Sequence, residues 1–576
     1  MRRRLVSTYT GRPVRACQER ETLAGWALTG INLVDVGCSL RPAPYGFARR
    51  TGNRGRKDGR QPAPADAERH FAAQRSAHSG PTRHCCGATR WTYAELHGVC
   101  ERLAAGLAAR GIRRGDKVAV LARNSHGFVA LRYALMRLGA VIVPINFMLQ
   151  ADDVAFILNH SGARMLATDS GMAEVGRNAA ALAPHVSEFV WLPSEEESAP
   201  VEGMTNVLAL IEAGGEPPGI GPESPDVAQI VYTSGTESRP KGVQLTHDAI
   251  LWQYVSCMVD ASISGDDVAV HALPLYHCAQ LDVFLGPSIY AGGVNIVTAK
   301  PVPDNIFRLI GRERATSFFA PPTVWISMLR SPGFDAADLS SLRKGYYGAS
   351  IMPVEVLREM ARRMQDVRLW NLYGQTEIAP LATMLGPEDQ LRKPGSCGRP
   401  VLNVETRVVD DKMRDVKPGE VGEIVHRSPH LMTGYYKDEE KTAEAFRGGW
   451  FHSGDLATVD AEGFISVVDR KKDMIKTGGE NVASREVEEA IYRLAGVSEV
   501  AVIGVPHPHW VEAVVAVIVP KADAGLAERH VLAFAHAHLA TFKVPKRVVF
   551  ADALPKNPSG KILKRELREA HVKAFG

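Results

Sequence analysis

One stretch of the sequence, residues 230–247, constrains the fold and the chemistry more than any other. It begins with Ile230-Val-Tyr232, an apolar, β-prone run typical of a buried strand, and then becomes rich in hydroxyl groups. Four hydroxyl side chains, Gly235 and Lys241 fall within the nine residues 233–241. Backbone N–H groups and hydroxyls can surround phosphate oxygens, and a lysine adds a positive charge. The pattern therefore favours a polyphosphate-binding loop over an ordinary surface hairpin.

The order of residues in this loop separates two kinds of phosphate site. A Walker loop needs Gly-x-x-x-x-Gly-Lys followed by Ser or Thr, whereas here Lys241 precedes Gly242 and no hydroxyl follows. The loop instead resembles that of the adenylate-forming (acyl-activating, AMP-binding) superfamily, and departs from it at Glu237 and Ser238, where Thr and Gly are usual. The resemblance implies that the nucleotide phosphates are bound by Thr233, Ser234, Gly235, Thr236 and Lys241.

Composition limits the classes of protein to consider. The 576 residues are 45% hydrophobic and 23% charged, with a net charge of +4, so the chain can form several globular domains and gives no reason to expect nucleic acid binding. No run approaches the ~18 apolar residues of a transmembrane helix. The eight cysteines are scattered without zinc-ligand spacing, which predicts reduced thiols in a cytoplasmic protein.

Residues 1–64 differ in composition from the rest of the chain. Residues 1–60 carry thirteen Lys or Arg against four Asp or Glu and show no sustained periodicity. Arg-rich, acid-poor N-termini can be targeting segments, but Glu19 and Glu21 interrupt this pattern. We therefore expect a disordered tail or a start codon placed too far upstream, and we predict that residues 1–60 are dispensable for folding and activity.

Strand and helix patterns alternate through the first two thirds of the chain. A helix is predicted after Trp91 and another over residues 128–138. Residues 81–87 contain few strand formers, although the superfamily usually has a strand there. This spacing indicates βαβ units and mostly parallel sheets. Apolar strands are predicted over residues 115–121, 140–144, 268–273, 294–297, 316–320 and 344–348.

The last third of the chain predicts a small β subdomain and a separate α+β unit. Short strands with Asp/Gly turns are expected over residues 405–409, 422–425 and 463–468. The charged run 469–473 reads either as a solvated turn or as a linker between domains. After it, Ser484 is predicted to cap a helix, followed by strands over residues 499–504 and 513–519 and a helix over 531–539. Periodicity predicts an α/β protein with a C-terminal α+β unit. The resemblance to the superfamily implies a large N-terminal domain over residues 65–470 and a mobile C-terminal lid over 471–576.

A second motif, Asn371-Leu-Tyr-Gly-Gln-Thr-Glu377, follows a mostly apolar run. Alone it is a weak signal, because Tyr-Gly turns are common, but it resembles the superfamily's Tyr-Gly-x-Thr-Glu motif. By this interpretation Tyr373 stacks on the base, Thr376 bonds a phosphate and Glu377 binds Mg²⁺ through a hard oxygen. The resemblance also places these residues at the nucleotide: Gly348, Ala349, Ser350, Asn371, Gly374 and Gln375.

Three further positions take a role from the resemblance. By themselves, Asp455 reads as a turn cap, Lys561 as an exposed lysine and His277 as a packed histidine. In the superfamily, the residues matching Asp455 and Arg470 hold the ribose diol, and the residue matching His277 lies beside the acyl carboxylate. The lysine matching Lys561 stabilises the adenylation transition state, where its charge offsets that of the pentavalent phosphorus.

Four motifs in the superfamily's order make the chain resemble a fatty-acid-activating acyl-CoA synthetase over residues 65–576. A carboxylic acid, expected to be a medium- or long-chain fatty acid, would attack ATP, and coenzyme A would then displace AMP. The two half-reactions imply a lid that rotates about Lys472. The resemblance implies that the chain uses ATP, Mg²⁺ and coenzyme A together with a small-molecule carboxylic acid. Whether it forms a homodimer stays open. The implied coenzyme A site comprises Gly478, Gly479, Trp510, Phe542 and Lys546.

Two other functions remain open from the sequence. A fatty-acyl-AMP ligase would deliver the acyl group to a carrier protein, but such enzymes usually carry a large insertion after the linker, and none is seen. A non-catalytic nucleotide-binding protein is the alternative from another class. Lys561, Glu377 and Thr376 argue against it, whereas the altered loop at Glu237 and Ser238 leaves room for it.

Overall fold

A computed structural model describes residues 83–576 except 197–198, 214, 216–218, 220, 234–239, 351, 472, 522–523, 557–561, 573 and 576. The predictions for residues 1–64 lie outside the described residues. So do those for Ser234, Gly235, Thr236, Lys472 and Lys561.

A nine-stranded sheet forms one half of the large domain within the described residues. Its six central strands are parallel, and the strands at both edges pair antiparallel. From edge to edge the strands are Arg399–Pro400, Leu381–Leu385, Arg368–Gly374, Lys344–Gly348, Ser317–Phe319, Val268–His271, Val294–Val297, His84–Cys86 and Thr89–Trp91.

An eight-stranded sheet forms the other half. Its parallel part carries buried apolar residues at nearly every position, as strands covered by helices on both faces require. From edge to edge the strands are Gly434–Tyr435, Lys241–Thr246, Val227–Thr233, Val141–Pro144, Lys117–Leu121, Met165–Thr168, Glu188–Trp191 and Thr205–Asn206.

Helices pack around these two sheets and follow the strands in alternation, as the sequence predicts. Local capping explains several starts: the Thr246 hydroxyl oxygen accepts a hydrogen bond from the Ala249 N–H at 3.1 Å, directly after a strand. None of the helices in the described part of the chain has the length and apolar character needed to span a bilayer. The α-helices are Tyr93–Ala109, His126–Leu138, Ala151–Ser161, Ala173–Ala181, Val207–Ala213, His247–Asp260, Gly286–Ala291, Pro303–Glu313, Pro322–Arg330, Val354–Arg363, Glu439–Ala445, Ser484–Tyr492, Glu528–His538 and Lys564–His571, with a π-helix over Ala279–Leu285.

Two smaller sheets follow along the chain. The antiparallel four-stranded sheet matches the predicted β subdomain, and the five-stranded sheet belongs to the predicted C-terminal unit. The first has the order Glu405–Val409, Gly422–Arg427, Phe451–Val459 and Ile465–Arg470. The second has the order Glu480–Val482, Ile475–Thr477, Val511–Pro520 and Val497–His507, with Arg547–Phe550 paired parallel to Val511–Pro520.

The α/β fold class is confirmed, with two local corrections. The segment with few strand formers contains the strand His84–Cys86, which is fully buried between a parallel and an antiparallel neighbour. The prediction that Ser484 caps a helix is wrong. Ser484 is the first helical residue, and both its N–H and its hydroxyl donate to the carboxylate of Asp469, at 2.7 and 2.8 Å. Asp469 is thus buried and bonded rather than solvated.

Candidate active site

The predicted phosphate loop connects two antiparallel strands of the eight-stranded sheet. Strand Val227–Thr233 leads into it and strand Lys241–Thr246 leads out, with Thr233 opposite Lys241 in the ladder. The ladder therefore holds both ends of the loop side by side.

Tyr435 connects Lys241 to Glu377, the last residue of the motif at 371–377 (the Thr-Glu motif). The ammonium nitrogen of Lys241 lies 5.0 Å from the centre of the Tyr435 ring, and the Tyr435 hydroxyl donates to Glu377 Oε1 at 3.0 Å. Burial and the Glu377 carboxylate raise the pKa of Tyr435 far above its ordinary value, so the phenol stays a neutral donor. The structure thus brings a cation and a carboxylate from two distant motifs to one aromatic ring.

Asp455 is the centre of a second cluster, at the junction of the nine-stranded and four-stranded sheets. Its side chain is 6% exposed, and its carboxylate has three side-chain partners. Tyr373 donates its hydroxyl to Oδ2 at 2.7 Å, Gln375 donates Nε2 to Oδ2 at 2.8 Å, and Arg470 places Nε 3.1 Å from Oδ1. Asp455 and Arg470 are also opposite residues in the ladder. The cluster can present a carboxylate and a guanidinium to a polar ligand in a fixed geometry.

Two residues that were predicted to contact the nucleotide, Asn371 and Tyr373, make hydrogen bonds to other parts of the protein. The Asn371 amide donates to the Ser396 carbonyl oxygen at 2.8 Å, a contact that fixes a neighbouring loop. Tyr373 uses its hydroxyl on Asp455, and burial followed by that carboxylate raises its pKa well above its ordinary value. Base stacking by the Tyr373 ring stays a prediction.

Thr376, in the motif at residues 371–377, is linked through Cys278 to a cavity beside His277. The buried Cys278 thiol donates to Thr376 Oγ1 at 3.3 Å, and burial raises the pKa of that thiol to about 12. Cys278 follows His277, whose Nδ1 accepts from the Ala279 N–H at 3.1 Å. The cavity is lined by Leu273, His277, Ala279, Gln280, Phe319 and Ala349.

The small-residue stretch at 348–350 forms one side of this cavity. Gly348 ends a strand where a Cβ would meet the Leu372 carbonyl oxygen at 2.5 Å, so no side chain fits. Ala349 follows with φ +63°, a left-handed conformation that costs free energy for a residue with a Cβ. The backbone therefore turns sharply at the cavity, next to the predicted Ser350. The cavity's volume is about 10 Å³, roughly one water, so its walls must move when an acid enters.

A buried polar network joins the strand before the phosphate loop, the segment after residues 371–377 and the π-helix after His277. No local pattern in the sequence marks this network. Arg132 and Asp282, 1% and 0% exposed at their side chains, form an ion pair at 2.6 Å. Gln229, on the strand before the phosphate loop, donates to Asp282 at 2.7 Å and accepts from Arg132 at 2.9 Å. Gln253 donates to the Asp282 carbonyl oxygen and accepts from the Leu381 N–H, just after the Thr-Glu motif. Asp282 belongs to the π-helix that follows His277.

The predicted coenzyme A residues form a partly exposed surface on the C-terminal unit. Gly478 and Gly479 form a two-residue hairpin turn with φ +59° and +89°, as a type I′ turn requires. The Gly478 N–H donates to the Trp510 carbonyl oxygen at 3.0 Å, and the Lys546 ammonium lies 4.9 Å from the Trp510 ring centre. Phe542 is 38% exposed on a turn that packs against Glu480–Val482.

The C-terminal unit contacts the large domain through its first helix. Arg485 Nη2 donates to the Gly395 carbonyl oxygen at 2.8 Å. Tyr492, at the other end of that helix, packs against the apolar cluster that contains Trp325 and Leu357. These contacts hold the first helix of the C-terminal unit against the large domain.

Glu377 provides a partial fit for a divalent cation. Its carboxylate is the hard ligand that Mg²⁺ prefers, and Thr376 adds a hydroxyl beside it. In the described part of the chain, however, no three His, Cys, Asp or Glu side chains are grouped as a metal site would require. Magnesium here would need further oxygens, as nucleotide phosphates and water supply.

The α/β fold with a separate C-terminal α+β unit is shared with solved adenylate-forming enzymes, which use a nucleotide to activate an acid. A family model described as "AMP-binding enzyme" matches residues 72–436, and one described as "AMP-binding enzyme C-terminal domain" matches residues 486–561. The chain belongs to this AMP-binding enzyme family. It is an acid–thiol ligase, an acyl-CoA ligase of the adenylate-forming kind.

Relatives within the family act on different acids. The chain is 39% identical to a feruloyl-CoA synthase of Amycolatopsis sp, covering 86% of this chain and 96% of the relative. It is 36% identical to an indoleacetate–CoA ligase of Aromatoleum aromaticum (83% and 92%) and 34% identical to the long-chain-fatty-acid–CoA ligase FadD13 of Mycobacterium tuberculosis (84% and 93%). The solved structure of the anthranilate CoA ligase AuaEII in complex with anthranoyl-AMP superposes with a TM-score of 0.83 at 25% identity, covering 89% of this chain and 98% of that one.

Proposed function

We propose that this ligase activates an aromatic acid as its acyl-adenylate and transfers the acyl group to coenzyme A. The observation that carries the proposal is the small cavity beside His277, which is lined in part by the aromatic residue Phe319. Its ring stacks on Phe284 with centroids 4.2 Å apart and planes 17° apart. A planar ring packs favourably against such a side chain. Relatives that act on feruloyl and indoleacetyl groups, at 39% and 36% identity, support the same class of acid.

The nucleotide site proposed for ATP combines the two clusters. Asp455 and Arg470 bind the ribose, with Tyr373 and Gln375 releasing one or both hydrogen bonds to Asp455 as the diol arrives. Thr233, Lys241 and Thr376 contact the phosphates, together with the loop residues Ser234, Gly235 and Thr236. Magnesium, when bound at Glu377 and the phosphates, would neutralise part of their charge.

The chemistry follows two balanced steps. The acid carboxylate oxygen attacks the α-phosphorus, the bond to the bridging oxygen breaks and pyrophosphate leaves. The coenzyme A sulfur then attacks the acyl carbon, the bond to AMP breaks and the thiol proton passes to solvent. Lys561 faces the charge of the first step, and His277 positions the carboxylate. The C-terminal unit rotates about Lys472 to bring Trp510 and Lys546 into the second step.

A long-chain fatty acid is the second candidate substrate, as the sequence predicted. The 34% identity to a long-chain-fatty-acid–CoA ligase favours it. A panel of ferulic, 4-hydroxycinnamic, indole-3-acetic, octanoic and palmitic acids, measured by AMP release with coenzyme A, separates the two. We expect kcat/KM to be at least about tenfold higher for one or more aryl acids than for either fatty acid. A higher value for the fatty acids would contradict the proposal.

We also propose a cytoplasmic location. Cys85, Cys86, Cys100, Cys257, Cys278 and Cys397 are buried, and none of them forms a disulfide within the described part of the chain. Free thiols of this kind persist in a reducing compartment. Fractionation of the native host, followed by activity measurement in each fraction, tests this location.

A further inference from the structure

A buried hydrogen-bond chain reaches the wall of the acid cavity from inside the nine-stranded sheet. It consists of Gln280, His271 and Asn295, none of them more than 1% exposed. Gln280 Nε2 lies 2.8 Å from His271 Nδ1, and His271 Nε2 lies 2.9 Å from Asn295 Oδ1. Such a chain has one consistent direction, because each nitrogen of a neutral imidazole either donates or accepts.

A backbone carbonyl at the far end sets that direction. Asn295 Nδ2 donates to the Gly293 carbonyl oxygen at 3.1 Å, so its Oδ1 faces His271 and accepts. His271 therefore carries its proton on Nε2 and accepts on Nδ1. Burial lowers the pKa of His271 to about 4, which keeps the ring neutral at neutral pH. Gln280 consequently donates through Nε2, and its Oε1 points away from the imidazole.

Gln280 is one of the residues that line the cavity. Oε1 accepts from the Leu273 N–H at 3.3 Å, and both residues line the cavity. A carbonyl oxygen can accept two hydrogen bonds, and the Leu273 N–H uses one of them. Apart from His277 and Gln280, the lining residues are apolar. A second donor to Oε1 can come from a ligand in the cavity.

We propose that Gln280 is a specificity-determining residue whose Oε1 selects aromatic acids with an N–H or O–H donor on the ring. The inference rests on the proposed aryl-acid function and deepens it. An acid without such a donor leaves the second acceptor position of Oε1 unused, which is unfavourable for a buried polar atom in an apolar cavity. Sites built to hydrogen-bond a substrate group discriminate against analogues that lack it. His271 and Asn295 are positioning residues, which act through Gln280.

Matched acids that differ in one donor test the proposal. The pairs are 4-hydroxycinnamate with cinnamate, and indole-3-acetate with its sulfur isostere 1-benzothiophene-3-acetate, measured by acid-dependent pyrophosphate exchange. The wild type should favour the donor-bearing member of at least one pair by about tenfold or more in kcat/KM. In Gln280→Leu, kcat/KM should fall for the donor-bearing acid and stay at the wild-type value for the acid without the donor. The ratio within the pair should therefore be about one.

Two further variants separate specificity from general damage to the fold. His271→Phe removes the ring nitrogens but leaves Gln280, whose amide can then turn, and should also reduce the preference. Gln390→Leu removes another buried amide, 4% exposed and bonded to Tyr347, and should leave the preference as in the wild type. Thermal melting of each variant verifies that it is folded.

The possible results distinguish this inference from the function on which it rests. Equal kcat/KM values within both pairs, or an equal loss for both members in Gln280→Leu, contradict the role of Gln280 alone. Exchange with fatty acids but with none of the four aryl acids contradicts the aryl-acid function, and the inference falls with it.

Discussion

Two regions with proposed roles are built in opposite ways. The proposed nucleotide region, hereafter the nucleotide region, comprises Tyr373, Gln375, Asp455 and Arg470. The proposed coenzyme A region, hereafter the coenzyme A region, comprises Gly478, Trp510 and Lys546. In the first, a buried carboxylate, that of Asp455, already has three side-chain partners. In the second, a half-buried indole stacks on His507, with ring centroids 4.4 Å apart, and carries a lysine over its ring. The first region is preorganised for one fixed ligand group, whereas the second is a surface open to solvent.

This difference predicts how each region responds to mutation and salt. Charges in a site that excludes water interact strongly and are weakly screened, whereas charges on an open surface are screened by salt. Substitutions in the nucleotide region should therefore have large effects that salt changes little. Substitutions in the coenzyme A region should have small effects that depend on salt.

Lys561→Ala should give the largest effect. The proposed cation faces charge that develops during adenylation, so its loss should lower acid-dependent pyrophosphate exchange by about 10²–10³-fold. Preformed acyl-adenylate should still react with coenzyme A at nearly the wild-type rate. Lys556→Ala is the matched control, because Lys556 forms an ion pair with Glu499 within the same unit. Exchange at the wild-type rate in Lys561→Ala would remove Lys561 from the site.

Asp455→Asn should follow in size. It keeps the shape of the side chain but removes the charge that accepts from Tyr373 and Gln375 and faces Arg470. We expect kcat/KM for ATP to fall about 10–100-fold, the range for loss of charge-assisted hydrogen bonds. The fall should be similar at low and high salt. Asp460→Asn, which changes a surface carboxylate paired with Lys393, is the control. A loss confined to low salt would contradict the preorganised site.

Acidification should destabilise the protein through buried histidines, including one beneath the nucleotide region. His426 is 0% exposed, its ring centroid is 6.4 Å from that of Tyr373, and burial lowers its pKa to about 4. Below about pH 6.5 the unfolded chain binds a proton at this residue that the folded chain does not bind until about pH 4. Stability should therefore fall as the pH is lowered from 6.5 to 4, by up to about 1.4 kcal/mol per pH unit from this group.

His426→Phe checks this assignment, since it keeps a ring but removes the titrating group. Melting temperatures measured from pH 7 to 4 should fall less steeply in the variant than in the wild type. Parallel slopes would show that His426 does not carry this part of the acid sensitivity.

Lys546→Ala should give the smallest effect, in the coenzyme A region. We expect the KM for coenzyme A to rise about three- to tenfold, since one partly exposed cation facing phosphates contributes a modest amount that salt screens. Pyrophosphate exchange should not change. Lys521→Ala, in the same unit, is the control. Equal damage to both half-reactions would indicate a structural role for this segment.

The sequence predicted elements that depend on local pattern and missed those that depend on distant partners. Strand Lys344–Gly348 matches its predicted bounds, because its period and flanking residues are local signals. Strand His84–Cys86 forms despite weak propensity, because Asn295 and Trp91 flank His84 in the ladder from two other strands. Ser484 lies inside the helix rather than at its cap, and its N–H and hydroxyl donate to Asp469, a partner 15 residues earlier that no local pattern marks.

The candidate site shows the same division. Asp455 and Arg470 were named from motifs, and the structure places them in contact. The ion pair of Arg132 with Asp282 joins residues 150 positions apart, and no pattern near either one marks it. The orientation of the Gln280 amide likewise depends on His271, which lies on a different element.

Isotope transfer tests the account's central claim, that the nucleotide region forms an acyl-adenylate before coenzyme A acts. The enzyme is supplied with ATP, coenzyme A and an accepted acid whose two carboxyl oxygens are ¹⁸O, and the products are analysed by mass spectrometry. The account predicts one ¹⁸O in each AMP, because the attacking carboxylate oxygen leaves with the α-phosphate. Unlabelled AMP, or label in pyrophosphate or phosphate, would contradict it.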